Sequence, residues 1–403
     1  MKIDKRNPRH WVCLLLFGIN VICAIVCRPF VRRRGPRRQV ILYGHKLAGN
    51  LLALYRHVKA TNEPSIHMVF LTMDKRYHRQ LVAEGIASVL ATSYACQQLL
   101  RRADAVISDH GLHAMAPMLS LSNMKFFDVW HGIPFKGFDA DDFRLQHRYD
   151  EVWVASPLLA KLYVERFGFD PAKVKVTGYA RTDRLVRRDE DTQAIKRRLG
   201  LDGDDVGKIV LFAPTWKQDA SQRSIYPFGL SEQDFLGELS VLAERTRSTI
   251  VMRTHLNSGP GPSRKWPRIE YRPHGDYPDT EELLLISDVL VCDWSSIAFD
   301  WLLLDRPTIF LDVVAPFGKR LSLGAEYRYG SLVADMDDTL AAIRNYLALA
   351  NDYSTKFGGG AVQARASVYG FFDDGQASAR CLSRIKRSVQ VGSGAKLSSN
   401  HSL

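Results

Sequence analysis

Cysteine is scarce in this chain of 403 residues, and its placement excludes more than its number does. Three of the six (Cys13, Cys23, Cys27) fall inside one apolar segment, and the others (Cys96, Cys292, Cys381) lie far apart with no CxxC spacing. Neither a zinc site nor a disulfide framework is suggested, and the usage fits a reducing compartment. No GxxxxGK[ST] run occurs, which argues against a P-loop NTPase, and no GxGxxG follows the first strand, which argues against NAD binding. No acidic pair has clear metal-ligand spacing, so no cofactor is implied and dependence on a divalent cation stays open. Basic charge is also missing from most of the chain. Residues 1–38 hold ten Lys/Arg and one Asp, a net +9 out of +12, and the rest carries only +3. A basic tail on a near-neutral body argues against a nucleic-acid-binding face.

Long apolar runs are equally rare. The one that stands out, Trp11 to Cys27, has 17 residues without a charge, at the short limit of what crosses a bilayer. Lys2, Lys5, Arg6 and Arg9 precede it, and Arg28, Arg32, Arg33, Arg34, Arg37 and Arg38 follow. That pattern predicts a membrane anchor whose basic C-terminal side favours the cytoplasm, with arginines suited to anionic headgroups. A cleaved signal peptide is the alternative, but no small-x-small site precedes the arginines, and arginines at that place hinder export. Residues 389–403 are Ser/Gly/Asn-rich and are expected to be disordered.

What the chain does have is alternation. Short apolar runs at Gln39–Tyr43, Ile66–Leu71, Ala105–Ser108, Phe126–Trp130, Val152–Ala155 and Val174–Thr177 are separated by helical patterns. They predict a doubly wound parallel sheet over 39–186. A charged stretch, 187–207, reads as a linker, and the alternation restarts over 208–388 with Lys208–Phe212, Thr249–Met252, Val289–Cys292 and Thr308–Leu311. Helices are expected to close the chain over Met336–Leu347 and Gly375–Ser388. Two Rossmann-like halves facing a cleft follow, with ligands beyond the carboxyl ends of the strands.

The candidate site residues share that address. His131, Thr215, Arg253, His255 and the pair Ser295-Ser296 each come directly after a predicted strand. Ser295 and Ser296 also open a helix, where two hydroxyls and backbone N–H groups suit a phosphate or diphosphate; a plain N-cap is the simpler reading. Cations and N–H donors for a diphosphate, with a neutral imidazole to take a hydroxyl proton, amount to phosphoryl-transfer chemistry. Gly132 would let backbone approach a ligand at the His131 turn.

The ordered set of motifs is specific where no single one is. Gly44 to Tyr55, WHGIPFKGF (Trp130–Phe138), FGFDPAKVKVTGYARTDRL (Phe167–Leu185), LFAPTWK (Leu211–Lys217), RTHLN (Arg253–Asn257), the block Tyr277–Ser296 and FDDGQAS (Phe372–Ser378) resemble the CDP-glycerol glycerophosphotransferase family of teichoic-acid polymerases and primases. The resemblance covers roughly 39–382 and implies an α/β GT-B fold. It also implies transfer of glycerol phosphate, or a related polyol phosphate, from a CDP-linked donor to a hydroxyl of a membrane-linked glycan or lipid acceptor, with release of CMP. Teichoic-acid-like or capsular polymer synthesis at the cytoplasmic face of the membrane would be the setting.

Carried over residue by residue, the resemblance makes His131 the general base and sets His255 on the donor phosphates beside Arg253. Ser295 and Ser296 would hold the diphosphate on a turn ordered by Asp293, with Thr215 and Trp216 at the donor site and Gly132 and Lys136 supporting the His131 motif. The sequence departs from the family pattern at Ile133, Phe135, Leu256, Trp294 and the segment Tyr179–Asp183, which leaves polyol and acceptor open. Two other readings stand beside it: a GT-B glycosyltransferase using a nucleotide sugar, and a non-catalytic membrane-anchored binding protein.

Overall fold

The computed structural model describes residues 7–31, 37–215, 225–254, 261–315 and 320–390. The first alternation builds a seven-stranded sheet from β1 (Arg38–Tyr43), β2 (Ile66–Thr72), β3 (Ser88–Leu90), β4 (Ala105–Ser108), β5 (Lys125–Asp128), β6 (Glu151–Val154) and β7 (Val174–Val176). The second builds a six-stranded sheet from β8 (Lys208–Ala213), β9 (Ser248–Met252), β10 (Ile269–Tyr271), β11 (Val289–Cys292), β12 (Thr308–Leu311) and β13 (Ser331–Val333). Their orders are β3-β2-β1-β4-β5-β6-β7 and β10-β9-β8-β11-β12-β13. Every pairing is parallel.

The sequence explains why. Val40-Ile41-Leu42 and Val289-Leu290-Val291-Cys292 are buried on both faces, as strands covered by helices above and below must be. The strand order reverses between β1 and β4 and again between β8 and β11. A crevice opens at each reversal, at the carboxyl edge of the sheet.

The helices that matter below are α1 (Pro8–Cys27), α2 (Gly49–Ala60), α3 (Tyr94–Arg102), α4 (Thr280–Ile286), α5 (Ile297–Leu302), α6 (Ala350–Tyr369) and α7 (Ala377–Gln390). Two differences from the sequence reading bear on the site. First, α6 forms across Gly358-Gly359-Gly360, a run that removes any helical signal from the sequence but sits on a surface where no side chain is required. Second, α7, assigned on sequence to the second half, packs on the first. Cys381, Leu382 and Ile385 join the core of β1 and α2. The Asp183 carboxylate accepts the Ala377 and Ser378 N–H groups at 2.8 Å each, satisfying the start of α7. The chain therefore returns to its first domain.

Candidate active site at the facing sheet edges

β5 ends at Asp128, and the turn that follows is held from two sides. Trp130 takes a left-handed backbone angle (φ +37°) that a bulky residue adopts only when its surroundings fix it. Those surroundings are Asn50 on α2, whose amide donates to the carbonyls of Val129 (2.8 Å) and Trp130 (2.9 Å). Asn50 Oδ1 accepts the Arg181 N–H at 3.1 Å, and the Arg181 guanidinium donates to the His131 carbonyl. The result is an exposed His131 ring on a fixed backbone. Its Nδ1 lies 3.2 Å from the Asp109 carbonyl oxygen. A carbonyl only accepts, so the contact puts the proton on Nδ1 and makes Nε2 the basic nitrogen of the neutral ring.

Behind His131 stands a group of side chains from the ends of β1 and β4. The His110 ring lies parallel to His131 at 4.8 Å, and His45 packs on His110 at 4.3 Å. Asp109 Oδ1 sits 2.7 Å from His110 Nδ1. Burial works against a charged ring here, but the Asp109 carboxylate outweighs it and holds His110 above its usual range. Asp128 is wholly buried beside Asp109, and burial followed by that repulsion pushes its carboxyl up to about 8.

The second sheet meets this turn. Thr215, after β8, gives its N–H (2.8 Å) and its hydroxyl to Asp293 Oδ1, after β11, so the two strand ends across the switch point are tied together. Ser295 and Ser296 follow, half-buried. Ser296 occupies the N-cap position of α5, yet its hydroxyl makes no capping bond. Instead it faces the other domain: a Cβ added to Gly132 would stand 3.0 Å from Ser296 Oγ. A side chain at Gly132 would have to push the Ser296 hydroxyl aside by a few tenths of an ångström. At Gly137 a Cβ would fall 1.5 Å from the Arg320 carbonyl oxygen, and Ser322 bonds the Phe135 (2.8 Å) and Lys136 (2.6 Å) carbonyls. Lys136 places its ammonium 4.9 Å from the Phe138 ring centre.

A buried ionic seam joins the halves next to the turn. Arg181 donates to Asp300 on α5 at 3.0 and 3.2 Å and lies 3.9 Å from Glu281 on α4. Arg184 binds Asp279 at 2.7 Å. Burial, then repulsion from Asp279, pushes the Glu281 carboxyl up to about 8, against the pull of Arg181. These charges fix which faces of the two domains meet.

The expected residues are thus partly united. Gly132, beside His131, meets Ser296, and Thr215 meets Asp293. Arg253 does not join them in the expected way. It is buried, its N–H groups go to Thr280 (2.6 Å), the Arg272 carbonyl (3.3 Å) and the Tyr277 carbonyl, and it sits 2.8 Å from His274. Burial lowers its pKa to about 10. Arg253 braces the segment leading into α4 rather than presenting open donors. His255 and Trp216 lie outside the described residues. Sequence reasoning passed over Asp109 and His110, although they too come directly after a strand, and over Arg181 as a brace.

A family model described as CDP-Glycerol:Poly(glycerophosphate) glycerophosphotransferase matches residues 36–387. The chain belongs to this family. A teichoic acid glycerol-phosphate transferase of Staphylococcus aureus is similar to this glycerophosphotransferase-family chain at 27% identity, over 64% of this chain and 70% of that protein. A teichoic acid poly(glycerol phosphate) polymerase of Bacillus spizizenii is 30% identical over 47% of this chain and 51% of its own. The matched part therefore spans about half of that polymerase's length. A solved structure of the wall teichoic acid polymerase TagF superposes with a TM-score of 0.70 at 18% identity, covering 96% of this chain and 100% of that one. The fold is shared. Glycerol-phosphate transfer in teichoic-acid synthesis is the activity that family and relatives support.

Proposed function

We propose that this protein transfers glycerol phosphate, or a related polyol phosphate, from a CDP-linked donor to a hydroxyl of a membrane-linked glycan or polymer acceptor. The acceptor oxygen attacks the phosphorus bearing the polyol, the phosphoanhydride bond breaks, and CMP leaves. His131 Nε2 takes the hydroxyl proton. The Ser295-Ser296 turn, steadied through Asp293 and Thr215, receives the diphosphate, and His255 and Trp216 join it by their place in the family motifs. The observation that carries this reading is the approach of the His131 turn to Ser296, which brings the turn bearing the base on one domain against the Ser295-Ser296 turn on the other. Work is expected at the cytoplasmic face of the membrane, in teichoic-acid-like or capsular polymer synthesis.

The test is CMP release by the purified chain from CDP-glycerol and CDP-ribitol, against a panel of UDP-sugars, with membrane lipid as acceptor. CMP from a CDP-polyol supports the reading. Release of UDP alone replaces it with a glycosyltransferase.

A further inference from the structure

A groove of about 360 Å³ runs beside β7, the edge strand of the first sheet. Three arginines of α7 line it, Arg380, Arg384 and Arg387, with no carboxylate among the described residues of its wall. We propose that this groove holds the phosphodiester backbone that an acceptor chain already carries, behind the hydroxyl offered to His131.

The sequence sets the arrangement. α7 turns Cys381, Leu382 and Ile385 into the core of β1 and α2. The spacing of Arg380, Ser383, Arg384 and Arg387 puts these four together on another face. With Lys386 the helix carries four cations and no acid. Like charges three and four residues apart destabilise a helix. Arg380 also stands near the positive N-terminal end of the helix dipole, where a cation is disfavoured. A solvated face with no ligand would mix the two signs. Here one sign is gathered, in a chain whose residues 39–403 net only +3.

Two of the three guanidinium groups are fixed from outside the groove. Arg380 donates to the Asp374 carboxylate at 2.7 and 2.9 Å and to the Thr177 carbonyl at 2.7 Å. Arg384 donates through Nε and Nη2 to Glu151, at the start of β6, at 2.6 Å each. A guanidinium has five N–H donors, so both keep at least one for a ligand. Held in place, they lose little freedom on binding an anion, and their planar forks suit phosphate oxygens. Arg387 is exposed and has no ion-pair partner among the described residues. Ser383 and Gln376, also exposed, add neutral hydrogen-bonding groups to the wall.

The groove leads away from the candidate site. Thr177, in its wall, follows β7 at the carboxyl edge of the sheet. β5, which delivers His131, ends two strands away, roughly 10 Å along that edge. Between them the Tyr179 hydroxyl lies 3.5 Å from the Gly132 carbonyl oxygen, and Arg181 donates to the His131 carbonyl. From this edge α7 runs toward the opposite one, where Lys386 meets Glu63, just before β2, at 2.8 Å. Arg380 to Arg387 spans about 10 Å of helix axis. That is a row of cations for a flexible chain with one negative charge per repeat, rather than a cup for a single phosphate. The inference rests on the proposed reaction for the identity of the chain, though not for the preference of the groove for a polyanion.

The experiment measures binding of fluorescent oligo(glycerol phosphate) of one and of six repeats to the purified chain. The six-repeat probe should bind at least about tenfold tighter, and rising salt should narrow the difference. Ser383→Glu with Arg387→Glu should bring the two probes within about threefold of each other. Both residues are exposed, so the melting temperature should stay that of the parent. Arg387→Lys keeps the charge and should retain most of the advantage. Used as acceptors, the same probes should show the loss in KM rather than in kcat. Equal binding of both probes by the parent, or an advantage untouched by the double variant, overturns the proposal. Loss of binding to phosphatidylglycerol vesicles with six-repeat binding unchanged also overturns it, and assigns the arginines to lipid headgroups. No CMP from any CDP-polyol, with length-dependent binding intact, sinks the reaction and keeps the groove. CMP release with length-independent binding sinks the groove and keeps the reaction.

Discussion

The imidazole of His110 lies parallel to that of His131, planes 7° apart and centres at 4.8 Å, while Asp109 grips its far side at 2.7 Å. Asp109 uses its carboxylate on His110 and its backbone carbonyl on His131. One residue thereby sets the charge of one ring and the tautomer of the other. A base must be unprotonated to work, and any positive charge that His110 takes up beside it disfavours a second one.

Replacing His110 by an uncharged ring of similar shape isolates the effect of its protonation. His110→Phe should keep the stack and move the acid limb of kcat/KM to higher pH by about one unit. The direction follows because removing a neighbouring positive charge makes the base easier to protonate. A pH–rate profile checks it; an unmoved acid limb would reduce His110 to packing.

His131→Ala should lower kcat by about 10²- to 10⁴-fold, the usual contribution of a positioned general base. Donor affinity measured by calorimetry should change little, because the donor turn lies on the other domain. Turnover near that of the parent would remove His131 from the base role.

Ser295→Ala combined with Ser296→Ala should weaken binding of CDP-glycerol, with folding intact, since the Ser296 hydroxyl makes no capping bond to α5. Titration calorimetry reads the effect. Unchanged affinity would return the pair to a structural turn.

Arg181→Ala leaves Asp300 and Glu281 buried without their counter-charge, and should cost about 3–5 kcal/mol in unfolding. Adding Asp300→Asn should recover part of that loss. Chemical denaturation of the single and double variants measures the coupling.

Asp128 gives a pH signature in stability. Its carboxyl is raised from an ordinary 3.8 to about 8 by burial and by Asp109, so the folded state binds the proton more tightly than the unfolded one. Its contribution is fully present below about pH 4 and is lost as pH rises through about 8. Asp128→Asn should therefore gain stability relative to the parent between those limits, most at the alkaline end. A difference that does not grow with pH would show that Asp128 is ionised in the folded state.

How much of this could be read in the sequence depended on where the signal lay. Buried parallel strands are continuous apolar runs, so most strands could be located from the letters alone, and so could the residues directly after them: His131, Thr215, Ser295 and Ser296. Short edge strands such as Ser331–Val333 carry three residues of pattern and gave nothing to find. The helix Ala350–Tyr369 hid behind three glycines because its stability comes from tertiary packing of Ala364, Val368 and Tyr369, not from propensity. Arg253 looked like a phosphate ligand because it follows a strand, but whether an arginine faces the cleft or the core is decided by neighbours far along the chain, here Tyr277 and Thr280. Asp109 and His110 stood at the right address and lacked only a motif to draw attention. The packing of α1 against β1 and α3, through Phe17, Val21 and Ala24, was out of reach, since hydropathy counts apolar residues without saying which of them meet protein.

The central claim concerns which bond breaks. The purified chain should release CMP from CDP-glycerol in the presence of membrane lipid acceptor, and His131→Ala should cut that release by about 10²- to 10⁴-fold while still binding CDP-glycerol. Release of UDP from a sugar donor with no CMP from any CDP-polyol would contradict it.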